Sequence, residues 1–289
     1  MNIGNTGFSN LPEVVKNLMI INGLFFLGTL SLGSYGIDMY KLFSLHQFQS
    51  PDFMPHQLIS HIFMHGNFTH LLFNMFSLWM FGRILENMWG AKRFLVYYLI
   101  TGLGAALIYI GYIQFQIYNI TSLLDVELVN QVLNASANSE IFAKPADILS
   151  MQNLWGLINS PMLGASGAVY GLLLAFGMLF PNSKLHIFSL ITVVILFDLI
   201  FKIRLPFLNI YWMFILIIIS QFSNEIRNIV FHTIPIKAKY FVMGLGAIAL
   251  FSGISNNPTD NIAHFAHLGG MIFGFLLLIY WKKKGDIYF

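Results

Sequence analysis

Stretches of roughly 20 apolar residues, the length a helix needs to cross a hydrocarbon core of about 30 Å, recur along the whole chain. They fall near 17–36, 59–82, 93–117, 164–180, 186–202, 206–222, 238–255 and 263–281. About eight such segments predict an all-α polytopic membrane protein. Composition closes the soluble alternative. Of 289 residues 57% are hydrophobic and 9% charged, and 15 Lys+Arg with 12 Asp+Glu cannot clothe a globule of this size in polar groups. We therefore read 1–289 as a single membrane domain. The first segment is long for a signal-peptide core, and the following SLGSYGIDMY lacks a small-x-small cleavage site, so it is expected to stay as an uncleaved span.

The segments near 164–180, 186–202 and 206–222 are short enough to be partial, tilted or re-entrant, and Lys202, Arg204 and Pro206 break the chain between the last two. With the N-terminus placed in the cytoplasm, 11 of the 15 Lys+Arg fall on the cytoplasmic side and 4 outside, namely Lys41, Lys144, Lys202 and Arg204. This bias predicts both termini inside, because cytoplasmic loops retain positive charge. Residues 118–160 then form an external polar loop carrying Asp125, Glu127, Glu140 and Asp147 against Lys144. Without an organelle-targeting pattern, the expected location is a plasma or inner membrane.

The absence of cysteine removes disulfides, thiolate ligands and cysteine nucleophiles. A scattered net charge of +3 suggests no nucleic acid, and neither GxxxxGK[ST] nor GxGxxG occurs to suggest a nucleotide. The chemistry must come from polar groups inside apolar segments, where each is costly; a charge at helix centre costs about 2.5–3.5 kcal/mol.

Three such groups occur. HIFMHGNFTHLLFN places His61, His65, His70 and Asn74 in one stretch, with His70 and Asn74 four apart on one helical face as hydrogen-bond donors. PMLGASGAVYG sets Ser166 between Gly164 and Gly167, with Tyr170 one turn on and Gly167 and Gly171 as a close-packing pair. NIAHFAHLGGMIFG aligns His267, Gly270 and Gly274. By parity all three groups lie near the external side. If the two glycine-bearing helices meet, Ser166 and His267 come within the roughly 2.6–3.2 Å at which an imidazole activates a hydroxyl. A nucleophile, a base and two neutral donors are the parts acyl transfer requires.

HGNFTHLLFN at 65–74, GASG at 164–167 and AHLGGMIFG at 266–274, in that order, resemble the rhomboid family of intramembrane serine proteases. GRILENMWGAKRF at 82–94, with Glu86 and Gly90, is similar to the connection between that family's second and third helices. The resemblance implies a six-helix core, to which 186–222 adds an apolar hairpin or re-entrant loop carrying Asp198. It implies Ser166 as nucleophile and His267 as general base without an acidic third member; Asp260 is seven residues from His267 in the chain. His70, Asn74 and the Ser166 N–H become donors to the oxyanion. Tyr170 packs on the histidine, His65 holds the preceding loop, and His61 and His264 are structural or cavity-lining. The implied substrates are transmembrane helices that unwind near a water-filled cavity open to the outside, with no cofactor. MPHQLISH at 54–61 lacks the Trp-Arg pair family members often carry there.

Two other readings are weaker. The histidines could bind a metal in a protease or transporter, but no HExxH and no carboxylate base accompany them, so no metal is expected. A catalytically silent relative that binds membrane proteins would usually have lost the serine or histidine, and both remain.

Overall fold

Pro12 fixes the backbone for the opening of α1 (Glu13–Leu32), whose first free N–H groups are capped from far along the chain. The buried Glu86 carboxylate accepts from Val14 N–H at 2.9 Å and from Val15 N–H at 2.8 Å. The structure, a computed structural model, describes residues 11–134, 145–187, 234–254 and 258–287. After α1 come α2 (Met39–Phe43), capped by Asp38, and α3 (Gln57–Ser60).

The second apolar segment is displaced from its expected bounds. Residues 61–67 are a short tight turn and irregular backbone, and the long helix starts only where the Asn67 side chain accepts the His70 N–H at 2.8 Å. From there α4 (Phe68–Ser77), a π-helical segment (Leu78–Gly82) and α5 (Arg83–Trp89) run on without a break. Gly90, at φ +79, turns the chain into α6 (Ala91–Thr121).

The described residues of 118–160, expected as a polar loop, are largely helical: α6 runs to Thr121, and α7 (Val126–Asn134) and α8 (Pro145–Asn159) follow. Met151, Leu154 and Ile158, spaced three and four apart, bury with Val132 against Tyr109, Ile110, Ile113 and Ile117 of α6. Next come α9 (Ser166–Leu179), strands β1 (Lys184–Ile187) and β2 (Ile234–Lys237), α10 (Ala238–Ile254) and α11 (Pro258–Lys284).

Helices α6, α9 and α11 pack on one another at the centre of the unit formed by 1–179 and 244–289. Lipid tails are as apolar as leucine, so helices associate by close contact rather than by exclusion of water, and glycine permits that contact. A Cβ on Gly269 of α11 would stand 3.0 Å from the Gly104 carbonyl of α6. The Tyr97 hydroxyl donates to the Gly171 carbonyl at 2.9 Å, tying α6 to α9. One end of this unit gathers the start of α1, Glu86, the Trp89–Tyr97–Trp281 ring cluster and the Arg93–Asp286 ion pair at 3.2 Å.

In the second unit, 180–243, β1 and β2 form an antiparallel ribbon with Lys184 opposite Lys237. The described residues therefore include a small two-stranded sheet, where an all-α fold was expected. Residues 186 and 187, expected to open the apolar insertion, belong to β1. The chain leaves the ribbon at 187 and returns at 234 to the same place. The rest of the predicted insertion, Asp198 included, lies outside the described residues.

Among the described residues, Glu13–Tyr35, Ala91–Thr121 and His264–Lys284 are long and apolar enough to cross a membrane, and Ser166–Leu179 and Ala238–Gly253 are shorter apolar helices. The count of eight segments is not reached by these.

Candidate active site

Ser166 is the first residue of α9, where the preceding backbone must turn sharply onto the helix axis. Gly164 makes that turn at φ +118, and a Cβ there would meet the His70 ring at 2.7 Å, so only glycine leaves room for both. The extended segment ahead of Ser166 is fixed at three points. Leu45 and Met162 exchange two backbone hydrogen bonds at 2.8 Å, Gly164 N–H donates to the His61 carbonyl at 2.9 Å, and the Tyr109 hydroxyl donates to the Ser160 carbonyl at 2.9 Å.

Across from it, α11 brings His267 to a 2.9 Å contact between its Nε2 and the Ser166 Oγ, spanning 101 residues of chain. The two helices can come this close because Gly167 and Gly270 face each other; a Cβ on Gly270 would run into the Gly167 carbonyl, and one on Gly167 into Ala105. Tyr170, one turn past Ser166, stacks flat on the His267 ring at 4.2 Å and 3°. The other ring nitrogen of His267, Nδ1, is buried and has no hydrogen-bond partner among the described residues. His264 meets the His267 ring edge-on at 6.1 Å.

α4 supplies the remaining polar groups. The His70 ring lies against Gly164, and His65 packs edge-on to it at 5.0 Å. Asn74 is buried, and its amide donates to the His70 carbonyl at 3.0 Å within its own helix. The structure thus joins Ser166, His267 and Tyr170 directly and sets His70 beside them, while the hydrogen bond that Asn74 makes stays on α4. No group of three or more His, Cys, Asp or Glu able to hold a metal occurs among the described residues.

Residues 52–224, more than half of the chain, match the sequence profile of the Rhomboid domain. The chain belongs to the rhomboid family. That match contains the α4 and Ser166 segments and stops short of His267. Among similar proteins, Rhomboid protein 1, mitochondrial, of Saccharomyces cerevisiae is 30% identical over 131 residues, 45% of this chain and 27% of that protein. Rhomboid-like protein 11, chloroplastic, of Arabidopsis thaliana is 32% identical over 94 residues, 30% of this chain and 32% of that protein. RHOMBOID-like protein 5 of the same plant is 46% identical over 52 residues, 18% of this chain and 17% of that protein. The chain therefore spans less than a third of the length of each. With its apolar helices, this rhomboid is an integral membrane protein. Two of the relatives are named for the mitochondrion and the chloroplast, so they lend no support to a plasma membrane.

The loop of this rhomboid that lacks the Trp-Arg pair is organised instead by Gln57, a residue sequence reasoning passed over. Its buried side chain accepts from the N–H groups of His46 at 3.3 Å and Met54 at 3.1 Å, and donates to the carbonyls of Lys41 at 3.0 Å and Asp52 at 2.8 Å. Its own carbonyl pairs with His61 Nδ1 at 2.9 Å, and His61 in turn holds Gly164. Tyr109 was missed as well. In one sequence, a glutamine or tyrosine bonded to main chain looks like any other, because the partner is a carbonyl that every residue carries.

Proposed function

We propose that this rhomboid-family protein is a serine endopeptidase that cleaves transmembrane helices within the bilayer. The reading rests on the 2.9 Å contact between Ser166 Oγ and His267 Nε2 at the meeting of two glycine-packed helices. For Nε2 to accept the hydroxyl proton, Nδ1 must carry the ring's own hydrogen. Tyr170 stacking holds the imidazole plane, the orienting work that a carboxylate does elsewhere.

Ser166 Oγ attacks the scissile carbonyl while His267 takes its proton; the tetrahedral oxyanion forms beside the Ser166 N–H and the His70 ring. His267 then gives the proton to the leaving amine, and water, activated by the same nitrogen, releases the acyl group. Asn74 reaches the oxyanion by turning its amide away from the His70 carbonyl. Water at this depth is tolerated only in a protein-lined cavity, so the site opens to the side where α9 begins. We place that side outside and both chain ends inside, following the 11 to 4 division of the 15 basic residues.

Purified protein in detergent with a labelled transmembrane substrate tests this. Ser166→Ala and His267→Ala should each abolish cleavage and leave folding intact, and unchanged product from either refutes the dyad.

A further inference from the structure

Four of the exposed large apolar residues of α6 form one stripe. Val96, Leu107, Phe115 and Tyr118 lie at helical spacing along it, with Phe115 60% and Tyr118 70% exposed. The opposite side of the outer turns, Ile110, Ile113 and Ile117, is buried in a cluster with Met151, Leu154 and Ile158 of α8 and Val132 of α7. The stripe continues past the end of the helix into Leu123, 81% exposed, and Val126, 77% exposed, at the start of α7. With 31 residues, α6 is about 46 Å long, close to the roughly 40–45 Å of a bilayer with its headgroup layers. Lys92 and Arg93 mark one headgroup layer, so the Tyr118–Val126 end reaches the other, where tyrosine is favoured.

We propose that the turn 122–125 and α7 form an anchor that lies on the membrane, with Leu123 and Val126 inserted at the headgroup–acyl boundary of the leaflet on the Ser166 side. The occupant of this apolar surface is phospholipid. The warrant is continuity: the same stripe is exposed along a helix long and apolar enough to cross the membrane, and the other side of that helix is buried by α8 and by Val132 of α7. Asp125, between the two anchors, and Glu127, next to Val126, are exposed, and on such an anchor their charge stays in water.

The chain has no cysteine, so Leu123→Cys and Val126→Cys each carry a single reactive thiol. Each is labelled with an environment-sensitive fluorophore and reconstituted in phosphatidylcholine vesicles. Leu107→Cys, on the lipid side of α6, and Lys284→Cys, exposed at the end of α11, are references. Both test sites should emit to the blue of Lys284→Cys, resist iodide, and be quenched more by lipid with a doxyl group near the headgroup than by one deep in the tail. Iodide quenching equal to that of Lys284→Cys overturns the proposal in favour of water. Shielding from iodide and from both doxyl lipids overturns it in favour of a protein cover, such as a second copy of the chain. The readout does not depend on catalysis, so it stands or falls apart from the protease reading.

Discussion

Gly270→Ala probes the architecture of the proposed dyad without touching Ser166 or His267. The new Cβ would drive into the Gly167 carbonyl oxygen and sit 2.8 Å from its carbonyl carbon, where ordinary contact begins at 3.4 Å. Clearing the carbonyl carbon alone requires α9 and α11 to part by about 0.6 Å at this level, and clearing the nearer oxygen requires more, an overpacking cost of about 1–3 kcal/mol. Gly270 is one turn from His267, so a similar opening of the 2.9 Å Ser166–His267 contact carries it beyond the roughly 2.6–3.2 Å that proton transfer needs. Misplacement of about 1 Å can cost about a hundredfold in rate, so kcat should fall at least about tenfold. The assay is cleavage of a labelled transmembrane substrate, alongside thermal unfolding in the same detergent. Gly244→Ala is the control: nothing lies within 4 Å of its Cβ, so activity should be unchanged. A Gly270→Ala protein that cleaves at the wild-type rate would refute the claim that glycine contact sets the dyad distance.

Glu86→Gln should lower unfolding stability in detergent by about 1.5–3 kcal/mol, because a charged acceptor for two buried N–H groups of α1 is lost; an unchanged melting curve would contradict it. Tyr109→Phe removes the hydrogen bond to Ser160, about 0.5–1.5 kcal/mol, and should lower kcat more than it raises KM in the same cleavage assay. Lys41 is paired with Asp52 at 2.7 Å, and the hydrogen bond and charge of Asp52 raise its pKa above the ordinary 10.5. A raised lysine pKa stabilises fully below the ordinary value and stops doing so as pH climbs through the raised one. The protection factors of residues 44–56, the intrinsic base-catalysed rate at each pH divided by the observed exchange rate, should therefore fall at strongly alkaline pH, and Asp52→Asn should remove that fall.

The residues proposed to carry the chemistry were legible because lipid makes polar groups conspicuous. Ser166, His267 and His70 each stand in an apolar run, beside glycines or one another. The turn at 61–67 was not legible, since His61 and Gly164 hold it through main-chain groups that no side-chain pattern reports. The helices in 118–160 could have been found from Met151, Leu154 and Ile158 at spacings of three and four, a signal masked by the acidic residues around them.

By itself the sequence determined that the chain lives in a bilayer, which polar residues are costly there, and which helices carry the glycines that let them touch. Hydropathy and small-residue spacing are local properties, written in consecutive letters. Only the tertiary structure decided that Ser166 meets His267, that Gln57 stands where a Trp-Arg pair was missing, and that α7 and α8 fold back on α6. Those outcomes depend on which surfaces meet across a hundred residues of chain, and a contact distance is a property of two segments that neither one contains alone.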